Sequence, residues 1–183
     1  MRTFVYVGTS LDGFIARKDG DIGWLMQFNN EEVNQNYHAF IKNIDAIVIG
    51  RGTFEIVLDF PEWPYDRKVF VLSSSMKELP APIKDKATIL SLEPYDLLAA
   101  LSKQGLTNLY IDGGKVIQSF LTEDLIDELI VTRVPVLIGN GIPLFGDLNK
   151  DILFTHLGTI VYSNGLVKTH YERKRVSGPA SVR

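Results

Sequence analysis

Three apolar runs in this chain end in glycines or hydroxyl residues, the residue types that bring backbone N–H groups or O–H donors to an anion. In AIVIGRGTFE, residues 46–49 run straight into Gly50, Arg51 and Thr53. In KVFVLSSS, residues 69–72 are followed by Ser73, Ser74 and Ser75. In NLYIDGGKVIQSFL, residues 109–111 meet Asp112, Gly113, Gly114 and Lys115, and a helical pattern starts near Val116. A glycine pair lets backbone amides approach a phosphate closely, and a helix N-terminus adds the positive end of its dipole. Three such places on one open sheet suit a long, multiply charged cofactor lying along the carboxyl edge of the strands.

Each motif also has a plainer reading. The Gly113–Gly114 pair serves equally as a tight strand-to-helix turn. It is not GxGxxG, and the chain holds no GxxxxGK[ST] phosphate loop. Arg51 can pair bidentately with a phosphate or simply stand exposed, and Thr53 can donate to a phosphate or cap the next helix. Serines after a strand are ordinarily loop, so Ser73 and Ser74 draw weight from their company. Asp12, in SLDG, is a candidate acid or base, although Asp-Gly is often just a turn. His38, His156 and His170 show no metal-ligand spacing. Glu31 and Glu32 suit the first turn of a helix, and Trp24 reads as an anchor for its loop. GNGIPLF, residues 139–145, has the shape of a functional loop, a subunit contact or a wide turn.

The elements that must position these residues alternate. Strands are expected at 4–8, 46–49, 68–72, 88–91, 109–112 and 129–134. Helices are expected at 31–43, 53–58, 94–104 and 116–122, with Asn29 or Asn30 capping the first. Residues 21–30 read as irregular. The chain closes on a hairpin, 154–163 and 166–173, turned at Asn164-Gly165. The first strand is apolar on both faces and so belongs near the sheet centre. The pattern predicts an α/β domain over residues 1–175, with a mostly parallel sheet and an antiparallel edge, and a flexible tail at 176–183.

The 183 residues carry a net charge of -3, with 45% hydrophobic and 22% charged residues. That balance suits one normal core and argues against sequence-independent nucleic-acid binding. With no Cys, disulfides, thiolate metal sites and Cys nucleophiles are excluded, and a reducing cytoplasm is the expected compartment. The apolar run at the N-terminus is too short for a membrane span.

Taken in order, VGTSLDGFIA, IVIGRGTFE, VLSSS, IDGGKVIQSFL and LIVTRVPVLIGNGIPLFG resemble the dihydrofolate-reductase-like superfamily. The closest resemblance is to the reductase domain of the riboflavin-pathway deaminase–reductase, over about residues 4–171. The resemblance implies a central parallel sheet flanked by helices, a C-terminal antiparallel hairpin, NADPH as cofactor and a homodimer. It implies that Gly50, Arg51 and Thr53 meet the cofactor phosphates, with Arg51 facing the adenosine 2′-phosphate. Ser73 and Ser74 match the hydroxyl pair near that phosphate. Gly113, Gly114 and Lys115 match the diphosphate loop, where the family has a cis bond between the glycines. Ile15 and Ala16 match the segment facing the nicotinamide carboxamide, and Thr132 the floor of the substrate pocket.

Two positions depart from the pattern. Where folate reductases carry an acid on the helix after the first loop, this chain has Asn34, with Glu31 one turn earlier as a possible substitute. Where riboflavin-pathway reductases carry a Lys in the first strand, it has Tyr6. The expectation is therefore an NADPH-dependent reductase of a small pterin-, pyrimidine- or carbonyl-type substrate, with Asp12 and Thr132 at that substrate. The alternative is an NADPH-binding protein without catalysis.

Overall fold

Successive residues of the first strand feed two different cores. Val5 and Val7 pack with Leu97, Leu101, Ile117 and Phe120 on one side, while Phe4 and Tyr6 pack with Ile47, Ile49 and Phe54 on the other. Period-2 alternation with apolar residues at both phases is the mark of a strand covered on both faces. Each fully buried Phe or Leu in these cores contributes roughly 1.5–3 kcal/mol.

The computed structural model describes residues 1–175; the tail expected at 176–183 lies outside the described residues. In chain order the strands and α-helices are β1 (Arg2–Thr9), β2 (Phe14–Ala16), α1 (Gly23–Met26), α2 (Glu31–Ile41), β3 (Ala46–Gly50), α3 (Arg51–Leu58), β4 (Lys68–Leu72), β5 (Ala87–Leu90), α4 (Pro94–Ser102), β6 (Asn108–Asp112), α5 (Gly114–Thr122), β7 (Glu128–Arg133), β8 (Ile142–Pro143), β9 (Phe154–Val161) and β10 (Val167–Arg173). Eight strands form one sheet in the order β5-β4-β3-β6-β1-β7-β10-β9. Pairing is parallel from β5 through β7, then antiparallel at β10 and β9. Helices α2 and α3 cover one face, and α4 and α5 the other.

Local chemistry sets the element ends. The Asn30 side chain caps α2 by accepting from the Val33 N–H at 2.9 Å. Gly165 closes the β9–β10 hairpin at φ +85°. Two expectations are corrected, and one pairing is new. Residues 21–30 are not wholly irregular: α1 inserts the buried Trp24 between Val134, Tyr162 and Leu166. Helix α3 starts at Arg51 with Gly50 as its N-cap, so Thr53 sits inside the first turn rather than at the cap. A second, two-stranded sheet joins β2 to β8, which places Ile15 and Ala16 beside the GNGIPLF segment.

Candidate functional site

Strands β3 and β6 are neighbours, with Ile49 opposite Asp112. Both lead directly into helices. The N-caps, Gly50 for α3 and Gly113 for α5, are glycines, and neither helix start receives a side-chain cap. Two sets of backbone N–H groups without intrahelical partners therefore lie side by side on the carboxyl edge, both with the positive dipole end outward. Side chains are excluded from this cradle. A Cβ on Gly113 would collide with the Thr53 hydroxyl, and one on Gly114 would come within 2.8 Å of Ile142 Cγ2. Gly113 also has φ +92°, which glycine alone adopts readily. A phosphorylated group fits this arrangement, because bare amides can touch its oxygens. No cis peptide bond occurs among the described residues, so the Gly113–Gly114 bond is trans, unlike the family feature implied by the sequence.

Arg51, in the first turn of α3, stays half-exposed. Its Nη1 donates to Ser75 Oγ at 3.0 Å, and its Nε lies 3.3 Å from Glu55 Oε1. The guanidinium is thus held over the loop after β4. Ser73 Oγ accepts from the Met76 N–H at 3.0 Å and lies 3.4 Å from Ser75 Oγ. Ser73 and Ser74 line a hollow of about 360 Å³ with Leu90 and Asp96. Ser75, the third of the serines, is the one that meets Arg51; nothing in the SSS run itself distinguishes it. Lys115 is exposed in the first turn of α5.

Next to the cradle opens a cleft of about 430 Å³ between α2, α3 and the sheet. Of the residues expected at the site, Ile15, Ala16, Thr53, Gly113 and Thr132 line it. Gly50, Arg51, Ser73, Ser74, Gly114 and Lys115 lie outside this lining. Thr132 is 8% exposed, opposite Gly8 of β1. Asn34 of α2 lines the cleft as well. Glu31 does not: its carboxylate accepts from Gln35 Nε2 at 2.9 Å on the exposed helix face, so it is no substitute for the acid absent at Asn34.

Asp12 departs from its expected place. It is exposed, does not line the cleft, and its carboxylate accepts from the backbone N–H groups of Gly139 at 2.8 Å and Ile138 at 3.3 Å. Its pKa is lowered, first by the Ser10 hydroxyl and then by those amides. Asp12 pins the GNGIPLF segment to the loop after β1, which holds β8 against β2.

The carboxylate in the cleft is Asp112, at the end of β6. Its Oδ1 accepts from the Gly113 N–H at 2.7 Å. Burial raises its pKa to about 6. Tyr6, Tyr37, Tyr65 and Tyr110 share the lining. Burial raises all four phenols, and for Tyr37, Tyr65 and Tyr110 the Asp112 charge raises them further. The Tyr110 hydroxyl donates to the Tyr6 carbonyl at 2.8 Å. A carboxylate with a raised pKa on a largely apolar wall can hold a proton or accept one from a bound ring. In the sequence Asp112 looks like part of a glycine turn. Its neighbours come from residues 6, 37 and 65, so sequence spacing gives no sign of its setting.

With this geometry in hand, likeness to known proteins is informative. The family profile of the RibD C-terminal domain matches residues 3–168. A crystal structure from Shewanella sp. PV-4, provisionally described as a riboflavin biosynthesis protein, is 43% identical with TM-score 0.90, covering 96% of this chain and 100% of that one. The Thermotoga maritima diaminohydroxyphosphoribosylaminopyrimidine deaminase/5-amino-6-(5-phosphoribosylamino)uracil reductase is 15% identical with TM-score 0.75, over 94% of this chain and 56% of that one. Dihydrofolate reductase from Enterococcus faecalis, complexed with NADP(H), is 16% identical with TM-score 0.68, over 95% and 97%. At these identities the last two establish the dihydrofolate-reductase-like fold and nothing finer.

Proposed function

Because the chain belongs to the RibD C-terminal domain family, we propose that it is an NADPH-dependent reductase of a small, flat substrate of pterin, pyrimidine or carbonyl type. The observation that carries this reading is the pair of uncapped helix N-termini, α3 and α5, opening beside a cleft whose one carboxylate among the described residues is Asp112. NADPH, when bound, supplies the hydride. The protein's part is positioning and electrostatics.

In this reading the amides at Gly114, Lys115 and the start of α3 hold the diphosphate, Gly113 leaving room for its approach, with the Thr53 hydroxyl donating beside them. Arg51, fixed on Ser75, meets the 2′-phosphate with Ser73 and Ser74, and Lys115 adds a nearby cation. Ile15 and Ala16 form the wall against the reacting ring of the cofactor. Thr132 and Asp112 face the substrate. Asp112 holds a proton at the carboxyl, or accepts one from a ring N–H, close to the bond being reduced. This assignment replaces Asp12, whose carboxylate is committed to the 138–139 backbone.

We further propose a homodimer acting in the cytoplasm, in keeping with a chain free of Cys. Leu137 and Phe145 are exposed on the segment that Asp12 pins, and Leu157 and Val161 on the sheet edge; both surfaces are candidates for the contact. A monomeric mass in light scattering contradicts the dimer.

The reaction is tested by following NADPH oxidation with pterins, aminopyrimidines and aromatic carbonyls. Turnover with at least one of them, lost in Asp112→Asn, is the expected result. NADPH binding without turnover on any of them contradicts the enzymatic reading and leaves a silent nucleotide-binding protein.

A further inference from the structure

We propose that the substrate of this cleft carries no phosphate or carboxylate: it is a planar, uncharged heterocycle that offers N–H donors to Asp112. The proposal rests on the reductase reading for the reaction, but not for the binding.

The cleft walls are largely apolar, with Val7, Leu25, Phe28, Val57 and Phe60 among them. No Lys, Arg or His lines it among the described residues, and its one carboxylate is Asp112. Bringing an anionic group here strips its water against hydrocarbon and sets it near a like charge, both unfavourable. A ring N–H does the reverse, giving Asp112 a donor. Tyrosine rings on the wall suit a flat partner.

The surrounding cations have other commitments. Lys168, on β10 opposite Thr132, is half-buried and donates from Nζ to Asn36 Oδ1 at 2.6 Å. Its ammonium stands 5.8 Å from the ring centres of both Tyr6 and Tyr162. Since Tyr6 forms the cleft wall, this charge lies beside the wall without lining the cleft. Arg17, after β2, is exposed with Nε 3.3 Å from Asp21 Oδ2. Arg51 is held over the loop after β4. The Thermotoga maritima relative is named for a phosphoribosylamino substrate; this cleft has no cationic end to receive such an arm. Its volume, about 430 Å³, must also take the reacting ring of the cofactor, which leaves room for a mono- or bicyclic ring.

Calorimetric titration of the full chain with a matched pair tests the proposal: an aminouracil ring alone, and the same ring carrying ribose 5-phosphate. The titration contains no cofactor, so a failure of the reductase reading, seen as absence of NADPH oxidation, leaves this result standing. The ring alone is expected to bind at least about tenfold more tightly than its phosphate, one decade being about 1.4 kcal/mol. Asp112→Asn is expected to shrink that ratio by weakening the ring and relieving the phosphate. Equal or tighter binding of the phosphate, failure of the bare ring to bind, or an unchanged ratio in Asp112→Asn each overturns the proposal. If the phosphate does bind and Lys168→Ala abolishes it, the cation beside Tyr6 is the receiving group and the substrate is anionic.

Discussion

The Thr53 hydroxyl occupies the space that a side chain on Gly113 would need. The residue that opens α5 and one in the first turn of α3 are therefore fitted to each other across two parallel strands. Gly113→Ala combines two costs: backbone strain at φ +92°, about 1–3 kcal/mol, and overpacking against Thr53, about 1–3 kcal/mol. Thermal denaturation is expected to show a fall in Tm, and NADPH affinity a loss of at least about tenfold as the cradle distorts. Adding Thr53→Ala should restore part of the Tm but not the affinity. An unchanged Tm in the single variant contradicts the fit.

In the proposed reading, Arg51 is the residue that discriminates phosphorylated from unphosphorylated cofactor. A hydrogen bond to a charged group contributes about 1.5–3 kcal/mol, or roughly ten- to a hundredfold in affinity. Arg51→Ala is expected to weaken NADPH by that factor and NADH hardly at all. Equal losses would remove its assignment to the 2′-phosphate. Ser75→Ala, which frees the guanidinium from its anchor, should produce a smaller loss in the same direction.

Asp112 is expected to trade stability for function. Its pKa is raised in the folded state, so between about pH 4 and 6 the folded chain keeps a proton that the unfolded chain releases. Stability therefore falls as pH rises through that window, and the cost is complete above it. Asp112→Asn removes the cost. Denaturant melts should show a gain of about 3 kcal/mol near pH 8 and none near pH 4, while turnover drops. A variant that is less stable at the higher pH contradicts the burial of a charge there.

Asp12 separates pinning from catalysis. Asp12→Ala should lower Tm by loosening residues 138–139, and leave kcat/KM within about threefold. Its pKa is depressed in the fold, so its stabilising effect is present above the usual carboxylate range and fades as pH falls through the folded value. A loss of about a hundredfold in kcat with Tm unchanged would instead mark it as a proton carrier.

The sequence displays the central strands of the large sheet because their residues are apolar at both phases, the β9–β10 edge because Asn164-Gly165 marks its turn, and the cradle because glycines stand at the ends of two strands. Local patterns end there. Helix α1 spans four residues, too few for a helical period, and only the burial of Trp24 shows what it does. The β2–β8 pair joins residues more than a hundred positions apart through an irregular register. Thr53 looks like a cap because capping favours hydroxyls, yet Gly50 already ends the extended strand and Arg51 begins the helix. Asp12 and Asp112 both precede glycine, and sequence cannot rank them. Tertiary structure does: one meets two loop amides, and the other lines a cleft together with four tyrosines.

The most direct test of the central claim is a titration of the purified protein with NADPH and with NADH, followed by tryptophan quenching and energy transfer to the reduced nicotinamide. Binding of NADPH at least about tenfold tighter than NADH is the result predicted by the cradle and by Arg51. Failure of both to bind would contradict the account, and the paired helix N-termini would then be a feature of the fold without a cofactor to hold.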